Sequence, residues 1–167
     1  MSTPTDSGLK NTDIASLLNQ SDILKNNGKI DESIAILEKT LEIAPTNHLT
    51  LHKLGEALAR KGELPQATGY YRQAIALNPA FKWSHYCLGL TLLWQDHLPE
   101  SIHSFQQAIE RDPSSALFKS QLGNALLKRG NLEAATTALN QSLQLDPQLY
   151  ATHLHLGALA TTLGKPT

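Results

Sequence analysis

HLTLHKLGEALARKGELPQATGYYRQAIALNPAF, residues 48–81, reads as two amphipathic helices joined by a tight turn and closed by a proline. Leu54 and Leu58 are four residues apart and share one helical face before Gly62, a residue that adopts a positive φ at little cost. Pro65 falls where a second helix starts, since the first turn of a helix leaves its backbone donors unused. Pro79 stops that helix, because the residue before a proline is pushed out of the helical region.

The same pattern recurs along the chain. Pro45, Pro79, Pro113 and Pro147 are each 34 residues apart, and Gly55, Gly89, Gly123 and Gly157 follow them by ten residues, each after a leucine. A fixed period of this length is the signature of a repeat architecture. Repeats are expected at 14–47, 48–81, 82–115 and 116–149, with a partial fifth at 150–164. The turn position, fifteenth in each, holds Gly28, Gly62, Asp96, Gly130 and Gly164, and aspartate is a tolerable substitute there. Beyond the turn, Ile30, Ile34, Leu37 and Leu41, or Leu98, Ile102, Phe105 and Ile109, mark a second apolar face.

Leu-Gly at positions 7 and 8, small residues at 8, 20 and 27, an aromatic or leucine at 24 and proline at 32 closely resemble the tetratricopeptide repeat, over residues 14–164. The small positions are Gly55, Ala67 and Ala74, then Gly89, Ser101 and Ala108, then Gly123, Ala135 and Ser142. The first repeat diverges, with Ser21, Ser33 and Thr40 there, and a looser end pair is expected. The resemblance implies an all-α, right-handed superhelical solenoid of antiparallel helix pairs, whose first helices line a concave groove that binds protein segments.

By the same resemblance, the third repeat presents Trp83, Tyr86, Cys87, Leu90, Leu93 and Trp94 to that groove, while the first two present mixed and mostly polar sets. The apolar series at 83, 86, 90 and 94 forms a stripe separate from the Leu88 and Leu92 face that the core requires. Trp83, Tyr86, Leu90, Leu93 and Trp94 are therefore expected as an apolar anchor, with Lys53, Arg60, Asn124 and Lys128 as orienting polar contacts. The weighed alternative for Trp83 and Trp94 is packing within the array, and Tyr86 is assigned mostly to structure. A clamp for acidic chaperone tails is not expected, because Leu18, Asp22, Lys53, Trp83 and Cys87 depart from its lysine and asparagine pattern. An asparagine ladder is also missing, with only Asn19 and Asn124 at the matching places.

Composition narrows the rest. Fourteen basic and fifteen acidic residues leave a net charge of −1, which gives no general attraction to nucleic acid or anionic membrane. Apolar runs such as residues 87–93 fall well short of the roughly 20 residues that span a bilayer. The single cysteine, Cys87, suits a reducing compartment, so the cytoplasm is the expected location. Residues 1–13 are polar and read as a disordered tail.

His48 and His52, four residues apart, could share a face, but no third ligand or H-E-x-x-H pattern accompanies them, and no metal or cofactor is expected. His85 and His153 occupy position 4 of their repeats, where half-buried packing is expected. No phosphate-binding, dinucleotide-binding or nucleophile-elbow motif occurs, so no catalytic residue is assigned. The expected function is a non-enzymatic scaffold for a protein or peptide. The alternatives are the recruiting arm of a larger enzyme, of glycosyltransferase or sulfotransferase type, and a self-association module that pairs through the stripe or the C-terminal end. Residues 165–167 stand where a further helix would begin, and a truncation point is expected there.

Overall fold

A computed structural model describes the backbone of residues 5–164 and the side chains of residues 13–164. The described residues form nine α-helices and no strand: α1 (Thr5–Asn26), α2 (Ile30–Ile43), α3 (His48–Lys61), α4 (Leu64–Leu77), α5 (Lys82–Trp94), α6 (Leu98–Arg111), α7 (Ala116–Lys128), α8 (Leu132–Leu145) and α9 (Tyr150–Thr162). The fold class is all-α, a tandem series of antiparallel helix pairs of the solenoid type. Residues 1–4, part of the expected tail, and residues 165–167 lie outside the described residues. α1 begins at Thr5, inside the stretch that composition reads as a tail. Once later turns are packed, extending a helix through polar residues costs little compared with nucleating one.

The chain divides into two compact units, Met1–Pro79 with α1 to α4 and Ala80–Thr167 with α5 to α9. In the first, α2 packs on α1 and α3, and α4 on α3. In the second, α6 packs on α5 and α7, α8 on α7 and α9, and α9 also meets α7.

The turns follow from local chemistry. Gly28, Gly62, Gly130 and Gly164 have φ of 79°, 92°, 83° and 68°, and Asp96 has φ of 61°. With Gly62 in this left-handed state, its N–H donates to Ala59 O at 3.1 Å, and that of Glu63 to Leu58 O at 2.9 Å, satisfying carbonyls that the helix end would orphan. Pro65 and Pro99 occupy the first turns of α4 and α6. α2, α4, α6 and α8 end one residue before Ala44, Asn78, Asp112 and Asp146, each of which precedes a repeat proline.

Three helix pairs close on a glycine. A methyl group on Gly55 would lie 2.8 Å from the Tyr71 ring, one on Gly89 2.7 Å from Phe105, and one on Gly123 2.6 Å from Leu139. Tyr71, Phe105 and Leu139 are each at most 2% exposed, so each side chain fills the space that its glycine leaves. The small residues four before and three after them, Ala67 and Ala74, Ser101 and Ala108, Ala135 and Ser142, are all 0% exposed.

The first repeat solves the same problem with serine. Ser21 is 1% exposed and donates to Leu18 O at 2.7 Å, and Ser33, fully buried, donates to Ser21 O at 2.8 Å. A buried hydroxyl bonded across two helices joins them directly, although α1 and α2 meet less extensively than the two helices of each later pair, in line with the expected looser end. Ser101 donates to Gly89 O at 2.8 Å in the equivalent place.

Gly157 sits at the same repeat position, with open space where a side chain would begin. Gly123→Ala is expected to lower stability by about 1–3 kcal/mol through overpacking, whereas Gly157→Ala raises it by about 0.5–1 kcal/mol through helix propensity. Thermal unfolding of the two variants checks the opposite signs.

Candidate partner-binding face

α5 carries the apolar stripe, and its first turn is an aromatic cluster. The Tyr86 ring stacks on Phe118 of α7 with centroids 4.9 Å apart and lies 6.0 Å from Phe105 of α6. Trp83 meets Phe118 edge-on at 5.3 Å and Tyr86 at 5.9 Å. Phe105 and Phe118 are fully buried, so they form the floor on which Tyr86 and then Trp83 rest. Burial pushes the Tyr86 hydroxyl up to about 12, which keeps it neutral. Lys82 Nζ lies 5.7 Å from the Trp83 ring centroid and 2.8 Å from Asp112 Oδ2, holding one flank of the indole.

The stripe is not one surface. Trp83 is 40% exposed and Trp94 60%, whereas Leu93 is 4% exposed and packs with Ile102, Phe105, Ala125 and Leu126. The expected role of Leu93 as a groove anchor is therefore corrected. Leu93 and Trp94 are neighbours in sequence and diverge by about 100° around the helix, so only one of them reaches solvent. Leu90 is half-buried against the same core, leaving Trp94 as the most open member of the set. Phe118 was not among the expected site residues, yet it supports both Trp83 and Tyr86.

The expected polar contacts separate between the units. Asn124, half-buried, and Lys128, exposed, lie on α7. Lys53 and Arg60 lie on α3 in the first unit and are engaged there. Lys53 pairs with Asp22 of α1, and Arg60 donates to Lys25 O at 3.2 Å. Lys25, only 8% exposed, reaches Glu56 at 2.6 Å and Asp22 at 3.3 Å, completing an ionic network across α1 and α3. Burial raises the Asp22 pKa, but the hydrogen bond and charge of Lys53, with Lys25, outweigh it and hold the carboxyl below its ordinary value.

The histidines sort by packing. His48 Nε2 lies 3.0 Å from Asn78 Nδ2. His52 is buried, with its ring 5.6 Å from Tyr71 and its Nε2 3.7 Å from Glu56. Burial lowers the His52 pKa to about 4; Glu56 opposes this, while Lys53, Lys25 and His48 add to it. His85 is buried, whereas His153 is exposed and meets Pro147 O at 2.7 Å, which corrects the half-buried packing expected of it. The buried imidazole of α9 is instead His155, its Nδ1 3.1 Å from Ser120 Oγ and its pKa lowered by burial. No helix among the described residues is long and apolar enough to cross a membrane.

With the helix pairs and their seats established, sequence comparison gives the class: family models described as "Tetratricopeptide repeat" match residues 13–80 and 86–150, and the chain belongs to this family. Among solved structures, it is similar to "MamA 41-end from Desulfovibrio magneticus RS-1", with TM-score 0.82 and 22% identity over 90% of this chain and 85% of that one. It is also similar to "MamA RS-1 ArsTM double mutant", with TM-score 0.81 and 22% identity over 90% and 84% of the two chains. A tetratricopeptide repeat protein from Parabacteroides merdae ATCC 43184 gives TM-score 0.80 and 20% identity over 91% of this chain and 59% of that one. At these identities the likeness is one of fold. Comparison with curated proteins gives no significant match.

Phe118→Ala is expected to cost about 3–5 kcal/mol, since it empties a fully buried aromatic site, while Trp94→Ala stays within about 0.5 kcal/mol of the parent chain. Denaturant titration of both variants separates floor from surface. Acid acts on the buried imidazoles of His52 and His155, and most strongly through His52. Its buried ring stays neutral in the folded chain down to about pH 4, whereas the unfolded chain takes up its proton near the ordinary value of 6.5. Its contribution is complete above pH 6.5 and is lost as the pH falls from there to about 4. The unfolding midpoint should drop across that window, with a shallower fall in His52→Gln.

Proposed function

We propose that the chain is a non-catalytic scaffold that holds a protein or peptide segment on the exposed face of α5, with Trp83 and Trp94 as apolar anchors. Membership of the tetratricopeptide repeat family supports a protein-interaction role in general. The observation that carries the finer reading is the 60% exposure of Trp94 and 40% exposure of Trp83, on a helix whose Leu88, Leu92 and Leu93 already supply its core contacts. Indole left in water is apolar area that a ligand can remove, and tryptophan is among the residue types richest in binding energy.

In this reading α5 presents to the ligand the same helix face that members of the family use for binding. Trp83 is braced by Phe118, Tyr86 and Lys82, so binding there orders little that is not already ordered. Asn124 and Lys128 on α7 are the polar contacts available in the same unit, and they favour a segment with an apolar anchor residue and some acidic character. Lys53 is engaged with Asp22, so its role is structural before it is recognition. Cytoplasmic location belongs to this reading, and pairing with a second copy through the indoles is its competitor.

Peptides selected from a random display library on the intact chain supply the test. Their affinity should fall by about 2 kcal/mol, roughly 30-fold, in the Trp83→Ala, Trp94→Ala double variant. Equal affinity for both chains would remove the indoles from the site. A mass in solution that rises with concentration only when both indoles are present would assign the face to self-association instead.

A further inference from the structure

The second unit holds a groove between α6 and α8, with α7 beneath it. Its volume is about 660 Å³, within the range of about 300–1,000 Å³ common to small-molecule sites. Ile102, Leu122, Leu126, Ala134 and Ala138 form an apolar floor. Two repeats earlier, Gln66 and Tyr70 stand at the positions of Ala134 and Ala138, and Tyr70 is half-buried. Leu54 is 1% exposed there, whereas its counterpart Leu122 is only half-buried. The small residues of α8 thus leave apolar surface open that larger ones would cover.

The charges at one end of the groove differ between the units as well. In the first unit Lys61, at the end of α3, meets Asp31 Oδ1 of α2 at 2.6 Å, and the hydrogen bond and charge of Asp31, with Glu63 and Glu38, raise the Lys61 pKa. In the second, Arg129 takes the position of Lys61, while Pro99, Asn131 and Gln106 take those of Asp31, Glu63 and Glu38. The positive charge is kept and its three acidic neighbours are replaced by neutral residues. Arg129 makes no ion pair among the described residues, not even with Glu133, the one acid of the lining. The amides beside it add donors. Asn131 Oδ1 accepts from Ala134 N at 3.3 Å and Gln141 Oε1 from Lys119 Nζ at 3.2 Å, so the oxygen of each is engaged and its N–H groups are what it offers a ligand.

We infer that this groove binds a small apolar carboxylic acid, its chain on the floor between α6 and α8 and its carboxylate on Arg129. The floor runs about 12 Å along α8 from Glu133 to Gln141, and a guanidinium holds a carboxylate through two parallel hydrogen bonds. The ligand's carboxylate supplies what Asp31 supplies to Lys61 in the first unit. The site does not involve the indoles of α5, so either proposal can fail alone.

The probe is octanoate, titrated into the intact isotope-labelled chain and followed by NMR. Saturable shifts centred on Arg129, Ala134 and Ala138 are expected, and octanol, which lacks the charge, should bind roughly tenfold more weakly or worse. Arg129→Gln should weaken octanoate binding by a similar factor. So should Pro99→Asp, which gives Arg129 the partner that Lys61 has. Pro99 lies in the first turn of α6, where aspartate is favoured, so the variant should stay folded, which its own spectrum checks. Lys61→Gln and the Trp83→Ala, Trp94→Ala variant should bind octanoate as the parent does. Absence of saturable shifts, equal binding of octanol, or affinity unchanged in either Arg129→Gln or Pro99→Asp overturns the inference. So does binding that vanishes with the indoles, which would move the acid to α5.

Discussion

The contact on which the rest of the structure depends is the seating of one bulky side chain over one missing side chain. Tyr71 on Gly55, Phe105 on Gly89 and Leu139 on Gly123 set how closely the two helices of a pair approach. Everything else in a repeat is arranged around that distance. The turn must reverse the chain within a few residues, which is why four of the five turn residues are glycines with positive φ. The small residues flanking the bulky one must vanish from the surface, and all six in these pairs do. Once one side of an odd-numbered helix is given to its partner and another to the next repeat, a third is left open. On α5 that side carries indole.

Most of this architecture is legible in the sequence, because a repeat states its rule several times. The period, the turn positions and the seat residues all read directly from spacing. The side chains around α5 were harder, for a geometric reason. A helix wedged between neighbours buries a broad arc, so a stripe traced by threes and fours places Leu93 with Trp94 when only Trp94 faces water. Phe118 was missed because position 3 of a repeat carries no pattern in residue type: Thr50, Ser84, Phe118 and Thr152 stand there. All four are fully buried, whereas Ser16 of the first repeat is exposed, so from the second repeat onward the position is a constant of packing that chemistry alone conceals. His153 is exposed rather than half-buried because no helix covers the outer side of α9 among the described residues.

Charge shows a related effect of repetition. Asp22 meets Lys53 and Lys25 meets Glu56, each 31 residues apart, because consecutive odd-numbered helices place such positions side by side. Local neutralisation of this kind consumes cations that a reading of single helices assigns to a ligand. Recognition on such a surface rests more on apolar shape than on net attraction, consistent with an overall charge of −1.

The seat contacts also bear on how the chain reaches its folded state. Each of the three joins residues only sixteen apart in sequence, so closing a pair requires a short loop with a small entropy cost. Such a topology has low contact order and belongs with the fast-folding helical proteins. A helix pair that closes early becomes a template for its neighbour, and order spreads along the array by nearest-neighbour contacts. The glycine that looks like a weakness in each helix is therefore where folding can start: it trades helix propensity in one segment for rapid capture of the next.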